Sequence, residues 1–210
     1  MGERHQRANC DPAQAVRLIA CGAIASETLA IKAQAALGHI DLICLPAILH
    51  NSPQEIPAAV EKAVLEAREE GFTSIFVGYA DCGTGGLLDK VCEKHGVGRL
   101  QGPHCYSFFS GNQAFSDLSE NEFTAFYLTD FLARQFDAFV TRPLGLDRHP
   151  ELRDSYFGHY EKLVFLAQTD DDELTKRAAA AAEQLGLAFE RRFTGFGDLT
   201  AELKVLAQPS

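Results

Sequence analysis

The chain predicts an α/β fold: a single-domain, doubly wound, mostly parallel sheet with helices on both faces. Three observations predict it. Strand-like apolar runs alternate with helical stretches of connecting length from about residue 16 onward. The run from Thr73 to Ala80 is almost continuously apolar, as a parallel strand buried on both faces must be. Finally, Cys21, His50, Cys82 and the pair His104-Cys105 each stand just beyond a strand-like run. In a parallel sheet those positions share the rim at the carboxyl ends of the strands, where open α/β folds bind their ligands.

The first strand is expected over Val16 to Cys21, followed by a helix through Ser26-Glu-Thr-Leu-Ala-Ile-Lys-Ala-Gln-Ala-Ala-Leu, with Ser26 as N-cap and Gly38 as stop. The second strand, Ile40 to Pro46, leads to His50. Ser52-Pro53-Gln54-Glu55 then carries the signature of a helix start, and Gly71 ends that helix. The third strand enters the loop Cys82-Gly-Thr-Gly-Gly86, and the next helix ends at His95-Gly96. A short fourth strand, Val97 to Leu100, precedes His104-Cys105.

Farther on, Leu128 to Phe136 is expected to be helical and Arg142 to Pro150 a loop. Lys162 to Gln168 is a strand, and Thr169 is expected to cap a helix reaching Leu185-Gly186. A last strand, Leu187 to Phe193, and a terminal helix from about Asp198 follow. Residues 1–14 are assigned as a polar N-terminal tail and 15–208 as one α/β domain, with 110–160 a candidate helical cap.

A net charge of −10, from 29 acidic and 19 basic residues with no Lys/Arg cluster, argues against nucleic-acid or anionic-membrane partners. The first residues lack the apolar core of a signal peptide, and no apolar run reaches the roughly 20 residues of a membrane span. A cytoplasmic protein acting on a small-molecule substrate is expected. In a reducing compartment six cysteines are read as buried thiols, metal ligands or catalytic groups rather than disulfides.

Thiolate and imidazole together form a zinc donor set, and a catalytic site leaves one position open. Cys21, His50, Cys82 and Cys105 are therefore the candidate metal ligands, with His104 a group steering Cys105. Cys44 and Cys92, inside a strand and a helix, read as small buried apolar residues, and Cys10 belongs to the tail. The other histidines, His5, His39, His95, His149 and His159, read as surface or helix-end residues.

Gly83, Gly85 and Gly86 are candidate ligand-binding positions. Glycine lets backbone approach a ligand, and the following helix presents its N-terminus, which also favours a thiolate at Cys82. The loop matches neither GxGxxG nor the Walker phosphate loop. Glu27, in the first turn after Cys21, is a candidate proton-transfer or ligand-orienting group. Cys82 is the candidate catalytic thiol, and Tyr79 and Asp81 flank the same mouth more weakly.

The blocks Ala20-Cys-Gly-Ala-Ile-Ala-Ser-Glu27, Leu45-Pro-Ala-Ile-Leu-His-Asn-Ser-Pro53, Gly78-Tyr-Ala-Asp-Cys-Gly83 and His104-Cys105 resemble those of the domain of unknown function 1638 family, with Tyr127-Leu-Thr129 and Gly195-Phe-Gly197 extending the likeness from about residue 16 to 205. Departures are His104, where members more often carry Asp, and Asp130-Phe131, where they often carry Gly-Trp. The resemblance implies that Cys21, His50, Cys82 and Cys105 belong to recurring blocks, and that a corrinoid protein of methyl transfer is a partner.

The leading expectation is thus a zinc enzyme of corrinoid-linked one-carbon metabolism. Three alternatives stand beside it. One is an iron–sulfur protein on the three thiols with His50, and another a non-catalytic accessory or carrier for a corrinoid methyltransferase. The last is a metal-free cysteine hydrolase using Cys82 with His50 or His104 and the glycine-loop N–H groups.

Overall fold

A computed structural model describes residues 11–115 and 124–206; Cys10 and His5 lie outside the described residues. The α/β class holds, with parallel pairing throughout. The strands divide over two sheets, and the chain forms two compact units, residues 1–108 with 196–210 and residues 109–195.

The first unit is built on β1 (Val16–Cys21), β2 (Ile40–Leu45), β3 (Ser74–Gly78) and the two-residue β4 (Gly98–Arg99), in the order β2-β1-β3-β4. Leu18, Ile19, Ala20 and Val77 are at most 1 % exposed, which explains their unbroken apolar run. Helix α1 (Ala25–Gln34) connects β1 to β2, α2 (Ile56–Glu69) connects β2 to β3, and α3 (Leu87–His95) connects β3 to β4. Right-handed crossovers in opposite directions from β1 put α1 on one face and α2 with α3 on the other. The order of strands reverses at β1, so the gap between the β1 and β3 carboxyl ends is the switch point.

Two features fix the spacing and register there. At the amino end, Arg17 and Asp41 stand opposite each other across β1 and β2. Their side chains meet at 2.9 Å while nearly fully buried, and the guanidinium also meets Glu70 at 2.8 Å and covers the Phe72 ring at 3.8 Å. A one-residue slip would strand this buried charge. Toward the carboxyl end, Gly78 faces Ala20, and a Cβ at Gly78 would come within 2.9 Å of the Ala20 Cβ.

Some local expectations are corrected. Ser26 lies inside α1; Cys21 instead caps a 3-10 turn, Gly22–Ile24, that leads into the helix. The helix ends at Gln34, and Ala36 just beyond it, rather than Gly38, takes the left-handed conformation. Ser52 makes no side-chain cap, and Pro53 opens a 3-10 turn ahead of α2.

The second unit carries β5 (Ala125–Thr129), β6 (Lys162–Ala167) and β7 (Ala188–Phe193), in that order. The segment expected to be helical from Leu128 is strand to Thr129; helix begins only at Asp130, capped by the Thr129 hydroxyl. Thr169 does not cap the helix Asp172–Leu185. Asp171 does, accepting from the Glu173 and Leu174 amides, while the Thr169 hydroxyl donates to Asp130. Asp130 is fully buried and also accepts from the Gln168 and Thr169 amides, tying the end of β5 to the end of β6.

Gly78→Ala should force β3 away from β1, lowering stability by about 1–3 kcal/mol in urea unfolding. Arg99 donates to both Asp89 carboxylate oxygens at 2.7 and 3.0 Å, fastening α3 to β4 and holding the Asp89 carboxyl below its ordinary pKa. A depressed folded pKa gives stability that is complete above the unfolded value of about 4 and is lost as pH falls through the folded one. Asp89→Asn should therefore flatten the acid limb of the unfolding midpoint measured between pH 2 and 7.

Candidate thiol centre

The carboxyl edge of the first sheet assembles its side chains in chain order. Cys21 closes β1, and its sulfur accepts from the Ala23 amide at 3.4 Å. Beyond β3 the backbone leaves the sheet but keeps pairing. The Asp81 amide donates to the Gly102 carbonyl at 3.0 Å and the Cys82 amide to the Pro103 carbonyl at 2.9 Å. This pairing lays residues 102–105 beside the loop after β3 and brings Cys105 to Cys82, with 3.2 Å between the sulfurs. Cys105 also lies within hydrogen-bonding reach of Cys21. Three buried thiols, each following a strand, thus lie together at this edge.

Cys82 pays for its place. Its φ is +50°, in the left-handed region that a side-chain-bearing residue avoids at a cost of about 1 kcal/mol or more. Such strain at a buried thiol is characteristic of functional positions.

The three sulfurs share their protons unequally. Hydrogen bonding from Cys105 holds the Cys21 pKa below its ordinary value, helped by the Ala23 amide and Tyr79. The hydrogen-bond contacts of Cys105 with Cys21 and Cys82, with its burial, push it well above that value, so Cys21 ionises ahead of Cys105. Tyr79 is 1 % exposed, and its hydroxyl finds no nitrogen or oxygen partner among the described residues. Burial raises its pKa, and the nearby Cys21 and Cys105 thiols raise it further. A tyrosine at the end of an otherwise apolar strand was the sequence signal for this hydroxyl. Cys44, on β2 beside Cys21, is pushed up to about 12 by burial and then by the Cys21 charge, so it stays a thiol. Burial likewise raises Cys92.

The imidazoles gather around Tyr106. His104 stacks on its ring at 5.2 Å and His50 meets it edge-on at 6.4 Å. Burial lowers both histidine pKa values, that of His50 further through His104, so both are neutral at pH 7. Glu27, 4 % exposed, sits in the first turn of α1 at the same edge of the sheet. Among the described residues, no group of three or more Cys, His, Asp or Glu side chains stands in metal-holding geometry.

The glycine loop has its own occupant. The Asp81 carboxylate accepts from the Thr84 hydroxyl at 2.8 Å, the Gly86 amide at 2.9 Å and the Gly85 amide at 3.3 Å. Those donors, with Gly83 adding to them, hold the Asp81 carboxyl below its usual pKa. Gly83, Gly85 and Gly86 have φ values of +83°, +61° and +79°, so glycine serves the turn. The amides of Gly85 and Gly86, expected to face a ligand or an oxyanion, are spent on Asp81. A hydrolase drawing its oxyanion donors from this loop would first have to evict that carboxylate.

The first unit is thus a parallel α/β unit with buried thiols at its carboxyl edge. The profile of the family described as Protein of unknown function (DUF1638) matches residues 44–203, and the chain belongs to that family. The match includes His50, Cys82 and Cys105; Cys21 and Glu27 precede it and are joined to them by the fold. No curated protein and no solved structure matches the chain. No helix among the described residues is long and apolar enough to cross a membrane.

Cys82→Gly should relieve the left-handed strain, and Cys82→Ala should keep it. In reduced protein with metal removed, the glycine variant should be the more stable of the two by about 1 kcal/mol in urea unfolding.

Proposed function

We propose that Cys21, Cys82 and Cys105 hold one thiophilic metal ion, zinc in first place, and that this centre serves methyl transfer to or from a corrinoid. The observation that carries the reading is the meeting of three buried thiols from three strand ends, two of them 3.2 Å apart. Zinc–sulfur bonds of 2.3 Å in a tetrahedron separate two sulfurs by about 3.8 Å, so Cys82 and Cys105 need open by only about half an ångström. In a four-iron cluster each thiolate goes to a different iron and the sulfurs stand farther apart, which favours a single ion over such a cluster.

The donors suit the task. Cys21 ionises ahead of Cys105, and the Ala23 amide supports its negative charge. His50 and His104 are neutral, the form in which imidazole ligates or takes a proton, and His50 supplies the fourth donor. Bound there, zinc would hold a substrate sulfur as thiolate at neutral pH in exchange for one of these four donors, making it a methyl acceptor. Glu27, buried at the same edge, is the group to carry the thiol proton. The corrinoid partner and the cytoplasmic setting are carried over from the sequence blocks and the first residues.

Protein purified anaerobically without added metal should contain about one zinc per chain by mass spectrometry. Cys21→Ser, Cys82→Ser and Cys105→Ser should each lose it, and Cys44→Ser should keep it. No stoichiometric metal, or metal retained by Cys82→Ser, would overturn the centre. Iron with acid-labile sulfide and a brown colour would replace zinc by a cluster. Mixing with methylcob(III)alamin and a thiol, followed by corrinoid absorbance, tests the reaction. Stable corrinoid-protein binding without turnover would make this an accessory.

A further inference from the structure

We propose that Cys82 and Cys105 are a redox pair that closes to a reversible intramolecular disulfide, leaving Cys21 as the remaining thiol of the three. Their sulfurs stand 3.2 Å apart, and about 1.2 Å of further approach makes the bond. The backbones are already held side by side by the amide bonds from Asp81 to Gly102 and from Cys82 to Pro103. Most of the loop closure that a disulfide must enforce has therefore been done by the fold.

Two pairings with Cys105 are in reach, and their surroundings separate them. Cys21 is 3 % exposed, sits at the end of the central strand, and is engaged by the Ala23 amide and Tyr79. Cys82 and Cys105 are 7 % and 8 % exposed and belong to the loops that form the edge. A small oxidant reaches those two first, and a loop yields the necessary ångström more readily than a doubly paired strand. Among the described residues, Cys44 and Cys92 have no thiol in hydrogen-bond contact and do not compete.

The oxidant is a hydroperoxide. The Cys82 sulfur attacks its terminal oxygen; the O–O bond breaks, alcohol or water leaves, and Cys82 becomes a sulfenic acid. The Cys105 sulfur then attacks Cys82; the S–S bond forms, the S–O bond breaks, and the hydroxyl leaves as water with the Cys105 proton. Two electrons pass from the two thiols to the peroxide, and a dithiol returns them on reduction. Bond formation does not require a metal. Its consequence for the centre does rest on the metal reading: two of three thiol donors are withdrawn, so oxidation releases the ion.

The test uses the full-length chain, reduced and freed of metal by a chelator, then treated with a slight excess of hydrogen peroxide. Remaining thiols are alkylated under denaturing conditions before peptide mass mapping. The expected product is two hydrogens lighter, carries one peptide linked through Cys82 and Cys105, has Cys21 alkylated, and reverts with dithiothreitol. Cys21→Ser should still form the link, and Cys82→Ser and Cys105→Ser should not. A link through Cys21, a link between chains, or Cys82 driven to sulfinic acid with no link would overturn the proposal. The wild-type peptide map decides this even if a variant fails to fold. Metal content is measured on reduced protein without peroxide, so zinc without the disulfide, or the disulfide without zinc, refutes one reading and spares the other.

Discussion

The thiol edge depends on β1 being paired in parallel on both sides. Because β2 and β3 flank it, the chain leaves β1 in one direction and β3 in the other, and a gap opens between their carboxyl ends. Cys21 marks one wall of that gap, and the continuation of β3 carries Cys82 to the other. The buried Arg17–Asp41 pair guards the register at the far end, and the bare Gly78 lets β3 lie against Ala20. The approach of Cys21 and Cys82, 61 residues apart in sequence, thus starts from interstrand spacing and is completed by the loop after β3.

The two kinds of donor are not equally well placed. The thiols touch one another, with Tyr79 beside them, whereas the imidazoles of His50 and His104 are organised by the Tyr106 ring. The division follows from how each is tethered. Cys21 ends a strand, and Cys82 and Cys105 lie on loops whose backbones pair, whereas His50 stands in a 3-10 segment after β2. Short helical turns of that kind hold a side chain less tightly than a sheet edge does. The thiols form the fixed part of the centre and the imidazoles its adjustable part.

Much of this was legible in the sequence, for identifiable reasons. Strands β1, β2, β3 and β6 announce themselves because burial on both faces demands continuous apolar runs, and β1 and β3 alone place two of the three thiols. Strand β5 was hidden because Thr129 passes straight from strand into helix, with no glycine or proline to mark the change. Thr169 looked like a cap because local pattern favours it, but a buried carboxylate 39 residues away claims its hydroxyl. The glycine loop was recognisable as a turn. That Asp81 fills it was not, since the same spacing leaves the amides free or taken depending on one side-chain torsion.

That occupied loop has a bearing on the kind of molecule the edge can admit. The N-terminus of a helix following a parallel strand ordinarily attracts anions, and nucleotide- and phosphate-binding α/β proteins are built on that attraction. Here the protein has installed its own anion, so the dipole is already quenched and a second negative charge would meet Asp81 head-on. With a chain carrying −10 overall, the field at this loop disfavours a second anion. A single aspartate thus stands where an anion sits at the corresponding turn of phosphate-binding folds.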